Sequence, residues 1–161
     1  MGNKCISAIN SSNVPAPTDG TKMSSKEVKD LLHEKFNLDN SKIFVGDRDY
    51  LAYSLETLKE FLQADLSNKI KYQSEKLDCD DFARILQGRE REWFGRTTVE
   101  GCGSTFGCIW GDLRPTEESE EPYYHAMNFF IDSDKKVWMV EPQSDKLREI
   151  TSNSTHWYAG V

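Results

Sequence analysis

The chain has 161 residues, 37% hydrophobic and 29% charged, which is enough length for one domain with a buried core and an ordinary balance for a globular protein. Its 20 Lys and Arg stand against 27 Asp and Glu, a net charge of −7. That balance speaks against a nucleic-acid binder, because phosphate contacts need clustered basic side chains, and it suits cation binding or basic substrates.

Met1 to Asn10 lacks the apolar stretch of a signal peptide, and no later apolar run approaches a membrane span, so the expectation is a cytoplasmic protein. The start Met1-Gly2-Asn3-Lys4-Cys5 invites acylation at Gly2 or Cys5, which would tether the chain to a membrane. Ile6 stands where the myristoylation pattern wants Ser or Thr, so a plain disordered start is the stronger expectation. Residues 1–23, rich in Ser, Asn, Pro, Thr and Gly, read as a flexible arm, and 24–161 as a single domain.

Ser24-Ser25-Lys26-Glu27 has the form of a capping box, and Val28, Leu31, Leu32 and Phe36 follow at helical spacing. Ile43 to Val45 reads as a short extended segment. A second helix is expected from near Ser54 to Asp65, with Leu55, Leu58, Phe61 and Leu62 as its stripe. A third is expected from Cys79, with Phe82, Ile85 and Leu86 inward and Gly88 as its stop. Phe106 to Trp110 reads as a strand, 114–122 as a polar loop, Tyr123 to Ile131 and Lys136 to Glu141 as two paired strands, and Leu147 to Ile150 as one more. Helices first and an antiparallel sheet afterwards make an α+β layout.

Four cysteines show no paired CxxC spacing, so zinc is poorly supported, and Cys102 and Cys108 read as free thiols. Cys79 is different. A cysteine at a helix N-terminus meets unsatisfied N–H groups and the positive end of the dipole, which favour the thiolate. The competing reading is a small buried hydrophobe. A nucleophile needs a base and the base an orienting group. His125, on a strand, and Glu141, ending the next apolar run, supply both types. If Ile131 faces Val137 across a loop of odd length, His125, Glu141 and Gln143 share one side of the hairpin; a two-residue loop would separate them. Among the aromatics, Trp93, Phe94, Trp110 and Trp138 read most simply as core, and Trp110, with Asn128, is also a candidate to line a substrate cleft.

The stretches Asp78-Cys79-Asp80-Asp81-Phe82-Ala83, Tyr123 to Phe130 and Val140-Glu141-Pro142-Gln143 together resemble papain-like and transglutaminase-like cysteine enzymes, and among them the peptidase domain of calcium-dependent fungal agglutinin proteases. The resemblance spans about residues 72–145. It implies a papain/transglutaminase-like fold, with the nucleophile at a helix N-terminus packed on an antiparallel sheet. It implies a hydrolase of peptide or amide bonds, with Cys79 as nucleophile, His125 as general base and acid, and Glu141 as orienting acid. Gln73, six residues before Cys79, stands where the oxyanion glutamine of papain-like enzymes does; the alternative is an ordinary loop residue. The same parts would serve a transglutaminase-type acyl transfer or a peptidoglycan amidase. A rival of another class is a catalytically inactive, calcium-regulated binding module.

Asp78, Asp80 and Asp81 crowd Cys79, and negative neighbours oppose a thiolate. Bound Ca²⁺ would neutralise them through oxygen ligands. Asp80 or Asp81 with Glu141 or Gln143 are the candidate ligands, and the resemblance to calcium-activated proteases points the same way. The partner expected is a peptide or protein substrate, and no organic cofactor is expected.

Overall fold

The computed structural model describes residues 14–18, 20–98, 101–112, 124–151 and 158–161. Its order is β1 (Gly20–Ser24), α1 (Ser25–Phe36), β2 (Ile43–Phe44), β3 (Asp49–Tyr53), α2 (Leu55–Ala64), α3 (Cys79–Thr97), β4 (Gly103–Ser104), β5 (Phe106–Asp112), β6 (Tyr124–Ile131), β7 (Val137–Glu141), β8 (Lys146–Glu149) and β9 (Tyr158–Gly160). A three-stranded sheet runs β1-β3-β4 and a six-stranded sheet runs β2-β9-β5-β6-β7-β8.

This corrects the expected fold class. A strand precedes the first helix, and the sheets are mixed, because β2 pairs β9 and β3 pairs β4 in parallel. The helices-first, all-antiparallel layout of a papain/transglutaminase-like domain is therefore not what the chain forms. β1 also takes in residues 20–23 of the expected arm. Met23 is buried there, and the Thr21 hydroxyl donates to the carbonyl of Ser133 at 2.7 Å. Residues 1–13, with Gly2 and Cys5, and the acidic loop 114–122 lie outside the described residues.

The two early helices begin where their caps predict. Ser24 and Glu27 close a capping box on α1, and Ser54 Oγ accepts from the Thr57 N–H on α2. The third does not stop at Gly88. That glycine sits inside a helix of 19 residues. A helical glycine costs about 1 kcal/mol relative to alanine. Trp93 and Phe94, both buried in the turns beyond it, each contribute on the order of 2 kcal/mol, which outweighs the cost.

Two apolar layers sandwich the large sheet. Met127, Phe129 and Met139 face Val28, Leu32 and Phe36 of α1. Phe106, Phe130 and Val140 face α2 and the Leu86, Trp93 and Phe94 side of α3. The hairpin has the odd five-residue loop: Ile131 pairs Val137. The Asp132 carboxylate accepts the N–H groups of Asp134 and Lys136 and the Trp138 indole, and Lys135 takes a φ of 61°. β9 inserts between β2 and β5, and Gly107 allows it. A Cβ on Gly107 would lie 2.3 Å from the Gly160 carbonyl and 2.4 Å from the Phe129 ring.

Candidate functional site

Cys79 is the first residue of α3, so its N–H belongs to the turn that has no intrahelical acceptors. Asp78 precedes the helix, and its N–H donates to Asp81 at 3.3 Å. The thiol is half-buried, between exposed helix surface and a small cluster with Ala83, Cys108, Trp110 and Ala126. It opens on a cleft of about 420 Å³ also lined by Asp80, Arg84, Trp110, Tyr124 and His125.

His125 lies near the start of β6, and its Nε2 is 2.8 Å from Glu141 Oε2, with side-chain exposures of 10% and 20%. With the ring proton donated from Nε2, Nδ1 carries the basic lone pair. The second carboxylate oxygen of Glu141 accepts the Gln143 N–H at 3.2 Å. Opposite His125 in the register stands Gly111, whose φ of 149° suits a residue without a side chain. The chain thus brings Cys79 and His125 to one cleft and hydrogen-bonds His125 to Glu141. An imidazole oriented by a carboxylate can exchange a proton with a group held in that cleft, and a helix terminus can stabilise an anion.

Other expected site residues fall elsewhere. Trp110 lines the cleft, as expected. Asn128 does not: it is fully buried, and its Nδ2 donates to the carbonyls of Ala83 and Gly107, tying α3 to the sheet. Gln73 is exposed on a tight turn, pairing its backbone with Leu77, and is not among the cleft-lining residues. Gln143 lies in the turn after β7 rather than opposite His125, and reaches Glu141 through its backbone.

The acidic cluster also differs from the expected ligand set. Among the described residues, one carboxylate oxygen each from Asp78, Asp80 and Asp81 lie within 4.8 Å of one another. Glu141 instead spends both oxygens on His125 and Gln143. The hydrogen bond between Asp80 and Asp78, followed by burial, pushes the Asp80 carboxyl above its ordinary range against the nearby Arg84. Three carboxylates at this spacing suit a hard, oxygen-loving cation.

Arg84 and Tyr124 were not singled out from the sequence. Arg84 pairs with Asp80 at 2.9 Å and holds its guanidinium carbon 5.8 Å from the Trp110 ring centre. Its place one helical turn after Asp80 is the signal that could have found it. Tyr124 is 69% exposed, beside His125. Cys108, by contrast, is buried under α3, and burial pushes its thiol up to about 12.

No family model matches the chain, and no characterised sequence matches it. Solved structures do. One is described as a PSL1a–E64 complex, with a TM-score of 0.69 and 20% identity over 87% of this chain and 51% of that one. Another is the Polyporus squamosus lectin bound to the human-type influenza-binding epitope Neu5Aca2-6Galb1-4GlcNAc, with a TM-score of 0.67 and 19% identity over 87% and 49%. The chain therefore spans about half the length of the structures it matches. The second of these is named as a lectin. On that finding the resemblance to papain-like, transglutaminase-like and agglutinin-protease peptidases is corrected, and with it the expectations of a cysteine hydrolase and of a peptide substrate. At this identity the comparisons establish a shared fold across 87% of the chain.

Proposed function

We propose that this chain is a ligand-binding module whose cleft carries a reactive thiol. The observation that carries the reading is the His125–Glu141 pair, set in the cleft that Cys79 lines. Cys79 is the reactive group, His125 its proton acceptor, and Glu141 the group that orients the ring. Trp110 and Tyr124 offer aromatic faces beside the polar Asp80 and Arg84, a lining suited to a sugar's apolar ring face and hydroxyl rim. The glycan bound by the lectin neighbour supports carbohydrate as the ligand class. Ca²⁺ bound by Asp80 and Asp81, with Asp78, would offset the negative charge around Cys79 and leave Glu141 to His125.

The test combines a glycan array with competition labelling of the intact protein. Iodoacetamide at pH 7 is expected to alkylate Cys79 faster than Cys102, and a bound glycan is expected to slow that reaction. Equal rates at the two thiols, without protection by any glycan, would remove the reading. Repeated turnover of an amide substrate by the wild type, absent in Cys79→Ala, would show catalysis where binding is proposed.

A further inference from the structure

The Glu141 carboxylate is aimed by the turn that follows it. The Glu141 carbonyl accepts the N–H groups of Ser144 at 3.2 Å and Asp145 at 2.8 Å. The Gln143 N–H meets Oε1 while Oε2 faces His125. Asp145 closes the turn with a φ of 57°, a left-handed conformation that a short polar residue tolerates. The β7–β8 ladder, with Glu141 opposite Lys146, closes the two ends of this turn and leaves its exposed tip at Ser144 to these local bonds.

It is held from outside. The side-chain amide of Asn68 donates to Asp145 Oδ2 across 77 residues of sequence. Asn68 sits on the 3-10 turn Ser67–Lys69, and that turn is anchored by the buried Asp65 carboxylate. Asp65 accepts the Ser67 N–H at 2.8 Å, the Ser67 hydroxyl, and Arg89 of α3 at 3.1 Å. An unbroken series of contacts thus runs from the middle of α3 to the acid beside His125, while the N-terminus of the same helix carries Cys79.

We propose that Asn68 and Asp145 are positioning residues: their contact fixes the Glu141–Asp145 turn and so holds the Glu141 carboxylate on the His125 ring. The inference rests on the reactive-thiol reading of the cleft for its purpose, but not for its geometry. Burial pushes the Asp145 carboxyl up to about 6, with the Asn68 hydrogen bond and Lys69 opposing the rise and Asp65 adding to it, so Asn68 is one of the two groups that favour its charged form.

The test reads the His125 ring proton by NMR in the full chain. A ring N–H donated to a carboxylate exchanges slowly with water. In Asn68→Ala, with near-UV circular dichroism unchanged, exchange of that proton is expected to accelerate about tenfold, in the direction of Glu141→Gln. The double exchange Asn68→Asp with Asp145→Asn restores one amide–carboxylate bond and is expected to recover the wild-type rate. If Asn68→Ala unfolds, Asn68→Ser carries the same comparison. Wild-type exchange in a folded Asn68 variant, or no recovery in the double exchange, would overturn the proposal. Failure of the reactive-thiol reading has a different signature: Cys79 then alkylates no faster than Cys102, while the ring proton still follows the Asn68–Asp145 contact.

Discussion

Glu90 is a carboxylate in the middle of α3 with no solvent exposure, bonded to the Tyr53 hydroxyl and the Ser104 hydroxyl, both at 2.8 Å. Burial lifts its carboxyl from 4.5 to about 7, against the two hydroxyls and Arg91. The folded state therefore binds a proton more tightly than the unfolded chain. Between pH 4.5 and 7 the folded form keeps that proton and the unfolded form has lost it, so stability falls as pH rises through this window and levels off above it. The size of that fall is about 3 kcal/mol. Glu90→Gln keeps the shape and an acceptor oxygen while removing the charge. Its stability relative to wild type is expected to be near neutral at pH 4.5 and to rise by about 3 kcal/mol at pH 8. For a chain of this length that is about 6–12 °C in Tm. Guanidinium denaturation of both proteins at the two pH values measures it. Asp145, also raised, titrates in both proteins and cancels in the comparison. The same difference between wild type and Glu90→Gln at both pH values would refute the reasoning, because it would mean that Glu90 ionises in the folded state as it does in the unfolded one.

Other outcomes follow from single contacts. Cys108, with its thiol lifted to about 12, is expected to resist iodoacetamide in the folded protein at pH 8 and to react only on unfolding, read by peptide mapping. Gly107→Ala places a methyl against the Gly160 carbonyl and the Phe129 ring. A loss of about 3 kcal/mol is expected in chemical denaturation, with β9 displaced. Trp110→Ala removes an aromatic face of the cleft and is expected to weaken glycan binding about thirtyfold, measured by calorimetry. Ca²⁺ is expected to raise the Tm of the wild type and not of Asp80→Asn/Asp81→Asn; equal shifts in both would place the ion elsewhere.

What the sequence made legible was local. The caps at Ser24 and Ser54 begin the helices they announce, because a side-chain oxygen three residues before a free N–H is a short-range signal. The hairpin register was conditional on Ile131 standing opposite Val137 across an odd loop, and the structure meets that condition with Met127, Phe129 and Ile131 buried together. What escaped was contact at long range. Nothing near Tyr158 marks it as part of a strand that enters the sheet between β2 and β5. Gly20 to Met23 is a strand because β3 lies beside it, while its own composition reads as a loop. Gly88 looked like a helix stop because the tertiary burial of Trp93 and Phe94, which overrides it, is invisible in a local window.

The contrast between Cys79 and Cys108 shows where the site takes its character. Both belong to one small cluster with Ala83, Ala126 and Trp110, and both lie against α3. Cys108 comes from the sheet and is roofed by the helix. Its Sγ donates toward the Ala83 carbonyl and the Gln87 side chain, so water is excluded and the thiol form is favoured. Cys79 comes from the helix's first residue, where the backbone offers donors instead of acceptors and the cleft admits solvent. A few residues along the same helix separate a roofed thiol from one that opens on the cleft. The carboxylate-oriented imidazole lines that cleft, which makes the open end, and not the roofed cysteine, the chemically distinctive part of the cluster.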